Sequence, residues 1–368
     1  MIVPHEKKRK KGILYIKYLI EEIEKETNYE VYEKYFVNLK NLIDNSGEIL
    51  EKNELNELFN KIMIFFENLE NKRLTLHNKI NKNENYILKD SLKEEIQNIE
   101  NIECEIANTI GVLYKTYKSK SNDIVNIILN KILPNFVKSN STFDIKFSLY
   151  LIDDLIAYIG QENLFYIWNN LFEILINFVK NENCDIRQAA AYGIGIFAKF
   201  TQKNFDIYAE KSIIVLKEAM LIKFNNNNNS DEDETDFVYS FDNIISAFGK
   251  IIFYQFNSEI VQKYLNELIQ IWISNLPLKY DDDEKFLQHE LICDLFLLKK
   301  NLINHIFYNP ILKFLIKIYK SKDSNKVINE KIIQIFNLVK NDEQLKVIIE
   351  EIYKNELILK EKIEILIK

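Results

Sequence analysis

The sequence predicts an all-α protein, an α-solenoid built from HEAT-type helix pairs. Its 368 residues include only 7 Gly and 4 Pro, against average frequencies of about 7% and 5%, so few residues are available to end helices and form turns. Apolar residues recur at three- and four-residue spacing in segments that repeat about every 40 residues, the period of HEAT repeats. Stacked pairs can extend without the size limit of a single globular core, because each pair contacts only its neighbours.

The segment 183–200 shows the pattern of a second repeat helix most clearly. Asp185 is the expected N-cap, because its carboxylate can accept hydrogen bonds from N–H groups of the first turn, and Gln188 can reach back to the Asp185 N–H as in a capping box. Gly193 and Gly195 lie inside this helix, where each glycine costs about 1 kcal/mol relative to alanine. We therefore expect a neighbouring helix to approach closely at these glycines.

The regularity of the pattern divides the chain into two parts. Residues 1–98 contain irregular leading helices that make a partial first repeat, and residues 99–368 form the regular HEAT array. The helix pairs expected in the array are 124–138 with 143–159, 164–180 with 185–200, 205–224 with 237–256, 261–276 with 286–298, 311–319 with 327–339, and two helices within 343–367. No linker composition separates these pairs, so we expect one continuous domain.

An Asn-rich and acidic segment at residues 225–236 interrupts the array. It runs from five consecutive Asn residues into Ser-Asp-Glu-Asp-Glu and offers no apolar side chain to bury, which predicts a disordered insert within one repeat. The alternative interpretation is an acidic segment that attracts basic partners.

An acid followed two residues later by a base recurs in three repeats. The pairs are Asp144 and Lys146, Asp185 and Arg187, and Asp283 and Lys285. In one interpretation, each acid caps its own helix and each base reaches the equivalent acid of the adjacent repeat, so that a ladder of ion pairs fixes the stacking register. In the other, the acids are plain caps and the bases face solvent, where exposed ion pairs contribute only about 0–1 kcal/mol.

Several function classes are disfavoured by composition and motifs. A net charge of −7 disfavours nucleic acid as a direct partner and favours basic or mixed-charge proteins. The four His and three Cys residues are not at metal-ligand spacing, and no glycine-rich phosphate loop or G-x-S-x-G motif is present, so we expect no metal, cofactor or catalytic site. Apolar runs end well before 18 residues. We expect a soluble, intracellular protein without membrane contact.

Three stretches carry a resemblance to a known family. They are residues 185–200, residues 151–156, and residues 272–278 with 293–295. They resemble, in that order, the "VRQAAAYGLG" segment, the "FDD-V-I" helix and the "WLSWLPL…LCDL" pair of the importin-β superfamily (karyopherin-β), in its importin-5, or importin subunit beta-3, branch. These matches occur in the same order and at the same spacing. The chain therefore resembles the C-terminal third of such receptors.

The resemblance implies a nuclear import receptor segment without enzymatic activity. The implied partners are protein cargo with basic signals, the Ran GTPase and FG nucleoporins, and the implied localisation is shuttling between cytoplasm and nucleus. Most Ran contacts of the family belong to N-terminal repeats outside the matched part.

The second helices of such an array line a concave face. Asp153 and Asp154 are the candidates there to present negative charge to basic cargo or to Ran, and the alternative interpretation of both acids is a solvated face. Two other functions stay open. One is a HEAT scaffold subunit of a phosphatase or chromosome complex, and the other is an enzyme with its active site in a helical bundle, for which the sequence supplies no polar cluster.

Overall fold

A computed structural model describes residues 4–82, 85–159, 167–223 and 234–367. These residues are helical almost throughout and include no β-strand, which confirms the all-α prediction. The chain folds into two compact units, Met1–Ile167 and Trp168–Lys368.

Unit 1 consists of helix pairs. Its helices are α1 (Pro4–Lys25), α2 (Tyr29–Ser46), α3 (Lys52–Lys82), α4 (Tyr86–Tyr117), α5 (Asn122–Ile127), α6 (Leu133–Phe136) and α7 (Thr142–Asp154). A π-helical turn at Ile128–Ile132 joins α5 to α6, and another at Leu155–Ile159 continues α7. Helix α1 packs on α2, α3 on α4, and α6 on α7, while the second helices α2, α4 and α7 pack in succession.

Unit 2 repeats the same arrangement. Its helices are α8 (Trp168–Phe178), α9 (Cys184–Phe200), α10 (Asp206–Met220), α11 (Glu234–Tyr254), α12 (Glu259–Ser274), α13 (Asp282–Lys299), α14 (Tyr308–Ile318), α15 (Lys326–Val339), α16 (Glu343–Asn355) and α17 (Lys360–Ile367). The second helices α9, α11, α13, α15 and α17 pack one on the next. This stacking of helix pairs confirms the repeat architecture expected from the apolar periodicity.

The second helices begin two or three residues earlier than the acid–base pattern suggested. Asn183, in extended backbone, caps α9 and accepts the Ile186 N–H at 3.0 Å, so Asp185 lies in the first turn and is not the cap. Ser141 caps α7 and Asp281 caps α13 in the same way. The cap is the last residue outside the helical backbone, and an acid already inside the first turn cannot take that position.

Of the two glycines in α9, Gly195 meets a close neighbour, as expected. A Cβ atom on Gly195 would lie 3.2 Å from the Ala247 Cα and 2.8 Å from the Lys250 Cδ of α11. A larger residue at Gly195 would therefore force α11 away from α9.

Two expected boundaries differ from the structure. The division at residue 98 falls inside α4, which is continuous from Tyr86 to Tyr117, so it does not coincide with the end of any element. Of the insert expected to be disordered at 225–236, residues 225–233 lie outside the described residues. Residues 234–236 form the first turn of α11, where two acidic side chains are favourable at a helix N-terminus.

Candidate partner-binding surfaces

The two acids expected to meet basic partners end helix α7. Asp153 is only 5% exposed, so its carboxylate is not available at the surface for a cation of a partner. Asp154 is partly exposed. Of the two residues, only Asp154 has the exposure that this role requires.

The carboxyl group of Asp154 lies against helix α4, at Gly111. A Cβ atom built on Gly111 would be 2.0 Å from the Asp154 Oδ2, so the carboxyl group occupies the space that a side chain would take at this position. Burial raises the pKa of Asp154 to about 7, because a carboxylate loses hydration in these surroundings. The carboxyl group is therefore close to half-ionised at neutral pH.

Asp144 belongs to a buried charge cluster rather than to a cap. It pairs with the Nη2 atom of Arg73 in α3, and the Arg73 Nε lies 3.0 Å from the Glu103 Oε2 in α4. Arg73 is 0% exposed, and the Ser139 hydroxyl donates to Asp144 at 2.6 Å. This cluster joins α3, α4 and α7 of unit 1.

Carboxyl groups outnumber the guanidinium in this cluster. Burial raises the pKa of Glu103 to about 8, and the positive charge of Arg73 opposes that shift. Burial likewise raises the pKa of Glu100, and the charges of Arg73 and Lys146 oppose it. Lys146, in α7, therefore lies near Glu100 of α4, where it reduces the cost of burying this carboxylate.

We predict that Glu103→Gln changes the pH dependence of stability. Between about pH 4.5 and about pH 8 the unfolded wild type loses the Glu103 proton while the folded protein keeps it, so the wild-type stability contribution of this group falls as pH rises. Glutamine does not titrate, and the variant should gain on the wild type over this range. Urea unfolding at several pH values tests this, and parallel stability profiles would contradict it.

In unit 2, Arg187 links α9 to α11 through hydrogen bonds. Its Nε donates to the Ser240 hydroxyl at 2.8 Å, and its Nη1 donates to the carbonyl oxygens of Asn181 and Glu182 at 2.6 and 3.2 Å. Within the described part of unit 2 its hydrogen-bond partners are hydroxyl, carbonyl and thiol groups. Arg187 therefore donates to neutral acceptors, whereas the ion-pair ladder predicted an acid of the adjacent repeat as its partner.

Asp242 of α11 accepts hydrogen bonds from the backbone that leads into α13. The Asp242 Oδ2 accepts the N–H groups of Lys279 and Tyr280 at 2.8 Å each, and that of Asp281 at 3.3 Å. Burial raises the pKa of Asp242, and these three donors oppose the shift. The contact fixes where α13 begins relative to α11.

A buried polar network joins α11, α12 and α13. The Lys250 ammonium donates to Glu284 at 2.9 Å, and Ser246 hydrogen-bonds the same carboxylate. Gln288 donates to Ser246 at 3.0 Å and accepts the indole N–H of Trp272 at 2.8 Å. The network satisfies buried groups from three helices at once, so it specifies their relative positions.

Lys285 lies between an acid of its own helix and an acid that precedes the next second helix. Its ammonium lies 2.6 Å from Asp282 of its own helix and 4.0 Å from Asp323, an acid that precedes α15. The His289 Nδ1 is 2.8 Å from the Asp323 carbonyl oxygen. Asp283 itself is exposed in the first turn of α13, so the acid of this motif is not the residue that links the repeats.

Asp185 and Gln188 are partly exposed at the start of α9. Because Asn183 caps the helix, a capping box between Asp185 and Gln188 is not formed at this end. Their participation in repeat stacking stays a prediction.

Two apolar grooves among the described residues were not predicted from the sequence. One, with a volume of about 410 Å³, lies among α1, α2 and α3 and is lined by Tyr29, Tyr32, Ile64, Phe65, Leu69 and Lys72, among others. The other, of about 670 Å³, lies among α15, α16 and α17. The sequence signal for both was apolar residues at helical spacing, which looks the same for a groove as for a core.

Neither a membrane-spanning helix nor a metal-binding cluster is found among the described residues. None of their helices has the length and apolar character to cross a bilayer. Nor do three His, Cys, Asp or Glu side chains come together there in a way that could hold a metal ion.

No family model matches the sequence. Solved structures of the karyopherin Kap121p do match the fold. Its complex with RanGTP has a TM-score of 0.64 at 16% identity and covers 95% of this chain and 30% of that chain. Its complex with Nup53p gives 0.64 at 17% identity, covering 94% and 29%, and its complex with the SUMO protease Ulp1p gives 0.64 at 15% identity, covering 95% and 30%.

The chain thus spans less than a third of the length of the karyopherin chains that it matches. At these identities the likeness concerns the fold. Over nearly its whole length this chain has the helical-repeat fold of the karyopherin Kap121p, which confirms, at the level of the fold, the importin-β resemblance of its sequence.

Proposed function

We propose that this chain is part of a nuclear import receptor and binds protein partners through its helical array. The observation that carries the proposal is the fold likeness over 94–95% of the chain to karyopherin Kap121p, whose solved complexes include RanGTP, Nup53p and Ulp1p. The proposed partners are cargo with basic signals, Ran and FG nucleoporins. The proposed localisation is shuttling between cytoplasm and nucleus, and no catalytic role is proposed.

The surfaces described above suit two of these partners. Asp154 offers a carboxyl group to a basic segment of cargo. The groove among α1, α2 and α3 offers aromatic and aliphatic side chains of the size and character that accept a phenylalanine ring.

A binding assay with and without RanGTP tests the proposed function. The immobilised chain is incubated with a basic cargo peptide and, separately, with a Phe-Gly repeat peptide, and RanGTP is then added. A transport receptor segment should bind both peptides, and RanGTP should reduce cargo binding. Stable capture of a phosphatase catalytic subunit or a chromosome complex, with neither peptide bound and no response to RanGTP, would overturn the proposal in favour of a scaffold.

The groove among α1, α2 and α3 is tested by Ile64→Asp. Ile64 lines this groove and is 60% exposed, so a carboxylate there should weaken Phe-Gly peptide binding about tenfold, because an apolar contact is replaced by a hydrated charge. Fluorescence anisotropy of a labelled peptide measures the affinity. The matched control is Leu14→Asp on α1, a 71% exposed residue outside the groove lining. Equal loss of affinity in both variants would reject the groove as the site.

A further inference from the structure

The position of Asp154 depends on a glycine in the neighbouring helix. Its Oδ2 and Cγ atoms lie 2.0 and 2.6 Å from where a Gly111 Cβ would be, so any other residue at position 111 would push the carboxyl group away. Asp154 keeps part of its surface exposed in this position. The acid is therefore held against α4 and is neither fully buried nor fully exposed.

The groups around Asp154 leave its charge uncompensated. In the described part of unit 1 it forms no ion pair and no hydrogen bond. The groups that face it are Tyr114 of α4 and Tyr158 after α7, and Tyr158 also lies near Lys115 of α4 and Asp44 of α2. The nearby cation, Lys115, is already paired with Asp44 at 2.7 Å.

Tyr114 and Tyr158 differ in burial and in the way they surround Asp154. Tyr114 is fully buried, and its hydroxyl group has no hydrogen-bond partner among the described residues. Burial raises the pKa of both tyrosines, and the charge of Asp154 adds to the shift. Tyr158 is 37% exposed, so its ring can pack against the methylene groups or the charge of an incoming cationic side chain.

We propose that Asp154, held on Gly111 beside Tyr114 and Tyr158, is a subsite for one lysine or arginine side chain of a protein partner, and that its occupation displaces the carboxyl proton to the solvent. This inference rests on the proposed function. A carboxylate can only accept hydrogen bonds and attract cations, and one that is partly buried without a counter-ion is stabilised when a partner supplies the positive charge.

Because cation binding requires the ionised carboxylate, the affinity of the subsite should depend on pH. Since the cation binds the ionised carboxylate and the pKa of Asp154 is raised to about 7, the ionised fraction grows from about one tenth at pH 6 to about nine tenths at pH 8. Affinity for a basic peptide should rise by up to about tenfold over this range. At pH 6 binding should release close to one proton, and at pH 7 about half a proton, which the buffer takes up.

Calorimetry with a peptide of alternating lysine and glycine tests the subsite. Titrations at pH 6, 7 and 8, each in two buffers of different ionisation heat, give both the affinity and the proton count. The wild type should show the rise in affinity and the proton release. Asp154→Asn should bind more weakly, with neither effect, and Asp90→Asn, which removes an exposed acid of α4, should behave as wild type.

A second variant tests the position of the carboxyl group. Gly111→Ala places a Cβ atom where the carboxyl group lies, so the acid should move into water, regain an ordinary pKa and bind the peptide without pH dependence between pH 6 and pH 8. If wild type and Asp154→Asn bind equally at every pH, the subsite is rejected while the proposed function stands. If the folded wild type does not bind the peptide at all, both the subsite and the proposed binding of basic cargo are rejected.

Discussion

Replacing Arg73 by leucine is expected to lower the free energy of unfolding of unit 1 by about 3–5 kcal/mol, because it leaves buried acids without their counter-ion. Arg73 pairs with Asp144 and lies 3.0 Å from Glu103, and all three residues are buried. Urea unfolding followed by circular dichroism near pH 7 measures the loss. The helices α3, α4 and α7 should separate at lower denaturant than in the wild type.

Glu103→Gln is the matched control for Arg73→Leu. The pKa of Glu103 is raised to about 8, so this acid is mostly protonated near pH 7 and a neutral amide replaces it with little change in charge. The control should lose much less stability than Arg73→Leu. A comparable loss in both variants would show that shape, rather than the uncompensated charge of Asp144, determines the stability of this junction.

Gly249→Ala is expected to destabilise unit 2 by about 3 kcal/mol through overpacking and broken hydrogen bonds. The added Cβ atom would lie 1.9 Å from the Gln288 Oε1 and 2.5 Å from the Trp272 Nε1. Both atoms belong to the 2.8 Å hydrogen bond between the indole and the amide, so this bond must break or α13 must shift. Tryptophan fluorescence during urea unfolding measures the change.

The control for Gly249→Ala is Gly12→Ala in α1. There the added Cβ atom approaches a flexible side-chain end, the Ile49 Cδ1 at 2.6 Å, which can rotate away. Alanine is favoured over glycine inside a helix by about 1 kcal/mol, so this variant should be neutral or slightly more stable. If Gly249→Ala is as stable as Gly12→Ala, the network around Trp272 does not restrict the approach of α11 and α13.

The junction held by Arg73 also affects the position of Asp154. Asp154 lies on α7, next to the helices that Arg73 holds together. A loss of register at that junction would move the Asp154 carboxyl group relative to Gly111. Peptide affinity should therefore be compared only between variants whose folded state has been verified.

The helix pairs were largely predictable from the sequence, while the polar residues that connect them were not. Apolar spacing identified α9, because periodicity is a local property, and Gly195 within it indicated the close approach of a neighbour. The cap of α9 was placed at Asp185 rather than Asn183, since both residue types favour caps and only the backbone distinguishes them. The partners of Arg187 were missed because they come from a loop and from Ser240, 53 residues away.

The candidate site was likewise only partly predictable from the sequence. The sequence singled out Asp153 and Asp154 as acids at the end of a helix. Burial of Asp153 and exposure of Asp154 depend on how α7 is rotated against α4, and the pattern of a single helix does not specify that rotation. The importance of Gly111 could not be inferred, because the group that fills its space belongs to another helix.

The sequence by itself determined that this protein is an all-helical array of stacked pairs, because spacing of apolar side chains and scarcity of glycine and proline act within each helix. Only the tertiary structure decided which polar side chains are buried between the helices, which acid stays open to a partner and where grooves remain. Those outcomes depend on contacts between segments tens of residues apart, where a rotation of one helix exchanges a buried residue for an exposed one.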